Sequence, residues 1–211
     1  MHNRGWLLLL ILALAPVVEA QRASRPAEEW VKVLDSPERI SGLRIPDVVA
    51  RLKLQSGDVV ADLGAGSGPF VVPFASAVGP KGKVYAVEID GSFFPYIQQR
   101  AKEAGVGNVV TVAGEFTDPK LPATDVDVAF MHDVLHHIEN RTAYIRNLAR
   151  YLKPGARVAI IDYHALQSPH REEKELQVAK EQAAFWLADA GFRPVEDIEL
   201  FTDKYFIVYR R

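Results

Sequence analysis

The segment from Val59 to Phe70 constrains this chain more than any other. Val59, Val60 and Ala61 lead into Asp62, and Gly64, Gly66 and Gly68 follow at alternate positions. β-capable residues running into closely spaced glycines read as a strand, a tight turn and the start of a helix. A Cβ in such a turn would keep a ligand off the backbone, so the glycines imply that something lies against the loop. The dinucleotide fingerprint requires a glycine where Pro69 stands, which leaves G-x-G-x-G with an acidic residue two positions before the first glycine. That departure argues against a nicotinamide-dependent oxidoreductase.

The rest of the chain repeats the strand-to-helix rhythm. Apolar stretches at Lys83–Val87, Val109–Val112, Val126–Met131 and Val158–Ile161 are short and continuous, as strands covered on both faces are. Between them, Phe70–Val78, the spacing of Ile97, Ala101 and Ala104, and the i, i+3, i+4, i+7 series Ile145, Leu148, Ala149 and Leu152 predict helices, the last stopping at Lys153-Pro154-Gly155. Two more helices, Ala27–Leu34 and Ile45–Leu52, are expected before the first strand. Near the C-terminus, Ala179, Ala183, Trp186, Leu187 and Ala190 form a helical stripe, and strands at Pro194–Phe201 and Tyr205–Tyr209 joined by Thr202-Asp203-Lys204 predict an antiparallel hairpin. The pattern is α/β: a Rossmann-like three-layer αβα sandwich around a mostly parallel sheet.

At 211 residues, 48% hydrophobic and 25% charged, the chain suits one globular domain with its own core. A net charge of −2 offers no basic field for phosphates, so no nucleic-acid partner is expected. The absence of cysteine removes disulfides, thiolate nucleophiles and thiolate metal sites together. Residues 1–20 stand apart: His2 and Arg4 precede an apolar run from Trp6 to Val18, and Val18-Glu19-Ala20 ends it. This reads as a cleavable secretory signal, which makes the protein periplasmic or secreted. A retained membrane anchor is the weaker alternative, because the run is shorter than the roughly 20 residues of a spanning helix and contains Pro16. No stable membrane insertion is expected after cleavage. The expected plan is therefore a signal at 1–20, a linker and short helix at 21–43 that could serve as a lid, and the main domain at 44–211.

Ligands of open α/β sheets sit at the carboxyl ends of the strands. Those ends hold Asp62 and the glycine loop, Glu88-Ile89-Asp90, Gly114-Glu115-Phe116, His132-Asp133 and Asp162-Tyr163. Together with Leu121-Pro122, Val134-Leu135-His136-His137 and Leu152-Lys153-Pro154-Gly155, these residues resemble the class I S-adenosylmethionine-dependent methyltransferase family over about residues 44 to 209. The resemblance implies a seven-stranded sheet with an antiparallel last strand, and S-adenosylmethionine as cofactor. Its methionine end would lie over Asp62, Gly64, Ala65, Gly66 and Gly68, with the ribose hydroxyls on Glu88. Ile89 and Asp90 would flank the adenine, with Gly114, Glu115 and Phe116 around its amino edge and ring. His132 occupies the place that faces the methyl group.

Methyl transfer from a sulfonium is an in-line displacement that depends mainly on positioning. A base matters only where the acceptor must lose a proton, and His132 and His136 are the catalytic candidates, with His137, Tyr163 and His164 also in reach by position. Met131-His132-Asp133-Val134 lacks the Asn/Asp-Pro-Pro-aromatic pattern of exocyclic base-amine methylation, which points to a small-molecule acceptor whose reactive atom is O, N or S. Its walls are expected from Trp30–Ile40 and Tyr163–Arg171. Paired histidines at a strand-to-helix junction commonly pack or cap, and a metal site built from them needs a third ligand. No H-E-x-x-H spacing supplies one, so no metal is expected. Trp30 and Trp186 read as core or lid packing, and Arg171-Glu172-Glu173-Lys174-Glu175 as a solvated helix start. The competing reading is a non-catalytic S-adenosylmethionine-binding or interaction module, favoured by an export signal because the cofactor is made in the cytoplasm.

Overall fold

The computed structural model describes residues 26–170 and 172–211; the proposed signal and most of the adjoining linker lie outside them. Three short helices come first, α1 (Ala27–Leu34), α2 (Pro37–Gly42) and α3 (Ile45–Leu52), followed by β1 (Val59–Leu63), α4 (Val71–Val78), β2 (Lys83–Glu88), α5 (Phe94–Glu103) and β3 (Val109–Ala113). After β4 (Val126–His132) and α6 (Arg141–Leu148) the chain forms β5 (Leu152–Tyr163), α7 (Lys180–Asp189), β6 (Arg193–Asp197) and β7 (Lys204–Arg210). The seven strands make one sheet in the order β3-β2-β1-β4-β5-β7-β6. All pairs from β3 to β5 are parallel, and β7 runs antiparallel to both β5 and β6.

Strand side chains alternate between two cores. Leu63, Met131 and Ile160 face one layer with Leu135, Ile145, Leu148 and Leu187, beneath α6 and α7. Val60, Phe130 and Ile161 face the other with Val48, Leu52, Phe74 and Val78, beneath α3 and α4, while Ile97 of α5 joins Val71 and Ala86 on that side. Every residue of β1 is buried, so burial on both faces explains its continuous apolar run. The chain leaves β1 for β2 and β3, then returns to β4 on the other side of β1. That reversal opens the crevice at the carboxyl ends of β1 and β4.

Three expectations shift. Leu152 extends the periodicity of α6 on paper, yet the helix closes at Leu148 through Arg150 N–H to Asn147 and Tyr151 N–H to Leu148 (3.1 and 3.0 Å). Leu152 instead opens β5 opposite Val126, buried in the same core from a strand. The hairpin link is longer than Thr202-Asp203-Lys204, since β6 ends at Asp197 and Lys204 already belongs to β7. In the acidic run only a 3₁₀ turn, Lys174–Leu176, forms among the described residues; α7 starts at Lys180. α2, unforeseen, is capped by Ser36, whose side chain accepts the Arg39 N–H, with Pro37 at its first position.

Candidate functional site

A cavity of about 410 Å³ lies over the carboxyl ends of β1, β2 and β4. Its floor is the glycine loop. Gly64 has φ of +70°, and a Cβ there would stand 2.6 Å from Val134 Cγ2, so both backbone shape and space demand glycine. Gly66 has φ of +55°, and its N–H donates to Glu88 Oε2 at 2.9 Å, tying the loop to the end of β2. The amides of Gly64 and Ala65 both donate to the Val87 carbonyl (2.8 and 2.9 Å). These N–H groups are therefore used within the protein, and α4 begins only at Val71. What the loop offers a ligand is close backbone approach rather than a helix N-terminus.

Asp62 is the charged group of this floor. It is buried, and its Oδ2 has no hydrogen-bond partner. Burial, with Glu88 adding repulsion, pushes its carboxyl up to about 7. An unpaired buried carboxyl beneath an open cavity is matched to a cationic ligand group. Glu88 spends its other oxygen on the Ile89 and Asp90 amides (2.8 and 3.2 Å), which holds the carboxylate at the cavity edge. Ile89 and Phe116 line the same edge and remain 43% and 55% exposed, two apolar surfaces suited to a flat ring.

The far wall comes from the turn after β4. His132 lines the cavity; its Nδ1 lies 3.3 Å from Asp133 Oδ2, and its Nε2 is buried without a partner. The ring rests against Phe70 (centroids 5.4 Å) and edge-on to Phe201 (5.9 Å), so packing fixes its plane. Asp133 adopts φ of +58°. The buried Lys204 Nζ donates to its Oδ2 at 2.8 Å, and Arg39 stands 3.6 Å from the same oxygen. Burial works against this charge, but His132 and Lys204 outweigh it and hold Asp133 well below the usual carboxylate range. A helix also covers the floor: Trp30 and Leu34 of α1 line the cavity. The following Asp35 accepts from Ser67 Oγ at 2.6 Å and pairs with Arg100, which itself donates to the Ser67 carbonyl at 2.8 Å.

Of the residues singled out from sequence, Asp62, Gly64, Ala65, Gly66, Glu88, Ile89, Asp90, Gly114, Glu115, Phe116 and His132 all line this one cavity. Gly68 does not; it turns the loop toward α5, where its Cβ would meet Ile97 Cγ1 at 3.1 Å. His136 does not either. It is buried behind His137, with Nδ1 at 2.6 Å from Asp162 Oδ1. Tyr163 and His164 also stand away from the cavity, Tyr163 under the Lys204 ammonium (4.5 Å) and His164 beside Tyr205. Of the expected acceptor walls only the first is present, as Trp30, Leu34 and Arg39; among the described residues of 163–170 none lines the cavity, and His137, Ile138 and Tyr144 stand there instead. Arg39 and Lys204 were missed. A lysine opening the apolar strand Lys204–Arg210 was the available sign, since such a cation is buried only when paired.

A doubly wound sheet, an acidic residue under a glycine loop and a second carboxylate one strand over form a site shaped for a nucleoside cofactor at the switch point of the sheet. Residues 54–192 match the family model described as "Methyltransferase domain", and the chain belongs to that family. It is similar to a demethylmenaquinone methyltransferase of Geobacillus kaustophilus, 25% identical over 116 residues covering 55% of this chain and 50% of that protein. A ubiquinone/menaquinone biosynthesis C-methyltransferase of Ectopseudomonas mendocina is 30% identical over 97 residues, covering 46% and 38%. The chain thus spans about half the length, or less, of these curated relatives. A crystal structure of an S-adenosylmethionine-dependent methyltransferase from Aquifex aeolicus superposes with a TM-score of 0.78 at 27% identity, covering 86% of this chain and 97% of that one. Residues 54–192 thus carry the methyltransferase domain that these proteins share. Its residues fit the cofactor: the orphan Asp62 oxygen matches an ammonium, and it lies in one cavity with Glu88 and the Gly64–Gly66 backbone.

Proposed function

We propose that this protein methylates a small apolar ring bearing a hydroxyl, of the quinol type, held against His132. One observation carries the reading: a single cavity joins the Asp62–Glu88 floor to the His132–Asp133 wall, so cofactor and acceptor share one space. The names of the quinone-methylating relatives support the acceptor class, as does the apolar lining of Trp30, Leu34, Leu43, Phe70 and Ile138.

When bound, the cofactor supplies a sulfonium methyl, already electrophilic. Asp62 would hold the ammonium of its methionine end and Glu88 the ribose hydroxyls, with Ile89 and Phe116 offering apolar surface to the adenine. At the other end, His132 Nε2 is placed to accept the acceptor's hydroxyl proton. Asp133, on the Nδ1 side, stabilises the imidazolium that results. Lys204 and Arg39 keep Asp133 charged in that role. Residues 1–20 would direct export, a reading that rests on the sequence alone and is tested by sequencing the N-terminus of protein recovered outside the cytoplasm.

The functional test is a panel of quinols, naphthols, amines and thiols incubated with the full chain and methyl-labelled S-adenosylmethionine. Label is expected on a hydroxylated ring, at carbon or oxygen. Transfer confined to amines or thiols would overturn the acceptor class.

A further inference from the structure

We propose that His136, His137 and His170 form a binding site for a divalent first-row transition metal ion of the zinc type, beside the cofactor cavity rather than within it. His136 and His137 come from the turn after β4 and His170 from the segment after β5, yet their ligating nitrogens all lie within 4.8 Å of one another. Among the described residues no other group of histidines and carboxylates gathers this way. The third ligand, which the spacing of the sequence does not offer, comes from tertiary structure.

The arrangement of partners favours metal ligation over packing. His136 Nδ1 stands 2.6 Å from Asp162 Oδ1, and the His136 backbone N–H donates to Asp162 Oδ2 at 3.0 Å. His170 Nδ1 stands 3.1 Å from Glu173 Oε1. In both rings a carboxylate takes Nδ1 and leaves Nε2 with the lone pair, the orientation that second-shell carboxylates impose on metal-binding histidines. Asp162 is itself fixed by the Tyr163 N–H at 2.8 Å, at the end of a central strand. The turn carrying His170 is held by its own N–H on Ser168 Oγ at 3.1 Å and by Glu173 N–H on its carbonyl at 3.1 Å.

Imidazole nitrogens around a tetrahedral zinc, each about 2.0–2.1 Å from the ion, stand roughly 3.4 Å apart. The present ligand atoms lie within 4.8 Å of one another, and His137 and His170 are both partly exposed. Two carboxylates offset a dication; Arg141, which donates to the His136 and Glu175 carbonyls at 2.8 Å each, is the opposing charge. Three neutral imidazoles with one position open is the ligand set of catalytic rather than structural zinc. Because His137 also lines the cavity, the ion would stand at its wall. The site does not depend on the methyl-transfer reading.

Full-length protein, stripped with a chelator and titrated with Co²⁺, is expected to bind one equivalent and to show the intense visible bands of four-coordinate cobalt, displaced by Zn²⁺. His170→Ala, outside the cavity, should weaken binding at least ~100-fold, and Asp162→Asn about 10- to 100-fold. S-adenosylmethionine titration of His170→Ala should match wild type, which separates failure of this site from failure of the cofactor reading. A cobalt spectrum like that of the aqueous ion, or equal affinity in wild type and His170→Ala, would overturn the proposal.

Discussion

The two ends of the cavity are built by different means. At the cofactor end, Asp62, Gly64, Gly66 and Glu88 come from strand ends and one turn, and their contacts are mostly backbone: Gly64 and Ala65 on Val87, Gly66 on Glu88. At the histidine end, Arg39, His132, Asp133 and Lys204 come from α2, the last residue of β4, the turn after it and β7, and their contacts are between side chains. The first end depends on shape, the second on charge pairing across the fold. A substitution at the cofactor end should therefore act through backbone strain and ligand affinity, and one at the histidine end through turnover or buried charge.

The sharpest division is expected at His132. With His132 as the proposed proton acceptor, His132→Ala should lower turnover on a proton-bearing acceptor by about 10²- to 10⁴-fold. Cofactor affinity by calorimetry should change by no more than about threefold. An equal loss in both would erase the contrast between the two ends.

Lys204→Met tests the charge pairing. It leaves Asp133 buried with Arg39 at 3.6 Å as its remaining fixed cation. Breaking a buried pair by removing one partner costs about 3–5 kcal/mol, to be read in denaturant unfolding. A loss below about 1 kcal/mol would mean the pair is solvated and the histidine end is not held by charge. At the floor, Gly64→Ala must place a Cβ at φ of +70° and against Val134. A destabilisation of about 2–3 kcal/mol is expected, with cofactor binding weakened in the same variant.

Asp62 sharpens the comparison because its two effects have opposite signs. Its carboxyl titrates near 7 in the folded chain against an ordinary 3.8, so between those values the folded chain holds a proton that the unfolded chain has lost. Its contribution to stability is thus largest in acid, declines as pH rises through that window, and stays at its low value above pH 7. Asp62→Asn should raise apoprotein stability at pH 8 by roughly 1–3 kcal/mol and leave it unchanged near pH 4. The same variant should weaken cofactor binding about tenfold or more. In wild type, calorimetry at pH 6 in buffers of different ionisation enthalpy should detect proton release on binding. Stabilisation that is equal at both pH values would show that Asp62 is not the titrating group.

This division also explains what could be read in advance. That the glycine loop and Glu88 would meet at one end of the sheet was legible because each element is local: a glycine spacing, a carboxylate at a strand end, an apolar run buried on both faces. The antiparallel hairpin was legible for the same reason, although β6 proved shorter than its apolar pattern. Arg39, Lys204 and the Asp35–Arg100 pair were not legible, because a lone cation or acid carries no periodicity and its partner lies tens of residues away. Leu152 misled because the same buried core can be reached from a helix or from the strand that follows it. His170 illustrates the limit most plainly: nothing in its neighbourhood along the chain marks it, and only the fold brings it to His136 and His137.

The central claim is that the Asp62–Glu88 floor is the seat of S-adenosylmethionine. Its most direct test is calorimetric titration of the full chain with S-adenosylmethionine and with S-adenosylhomocysteine, beside the Glu88→Ala variant. One equivalent of each should bind, and Glu88→Ala should weaken both. Absence of heat with either ligand, together with binding of a nicotinamide dinucleotide, would contradict the account.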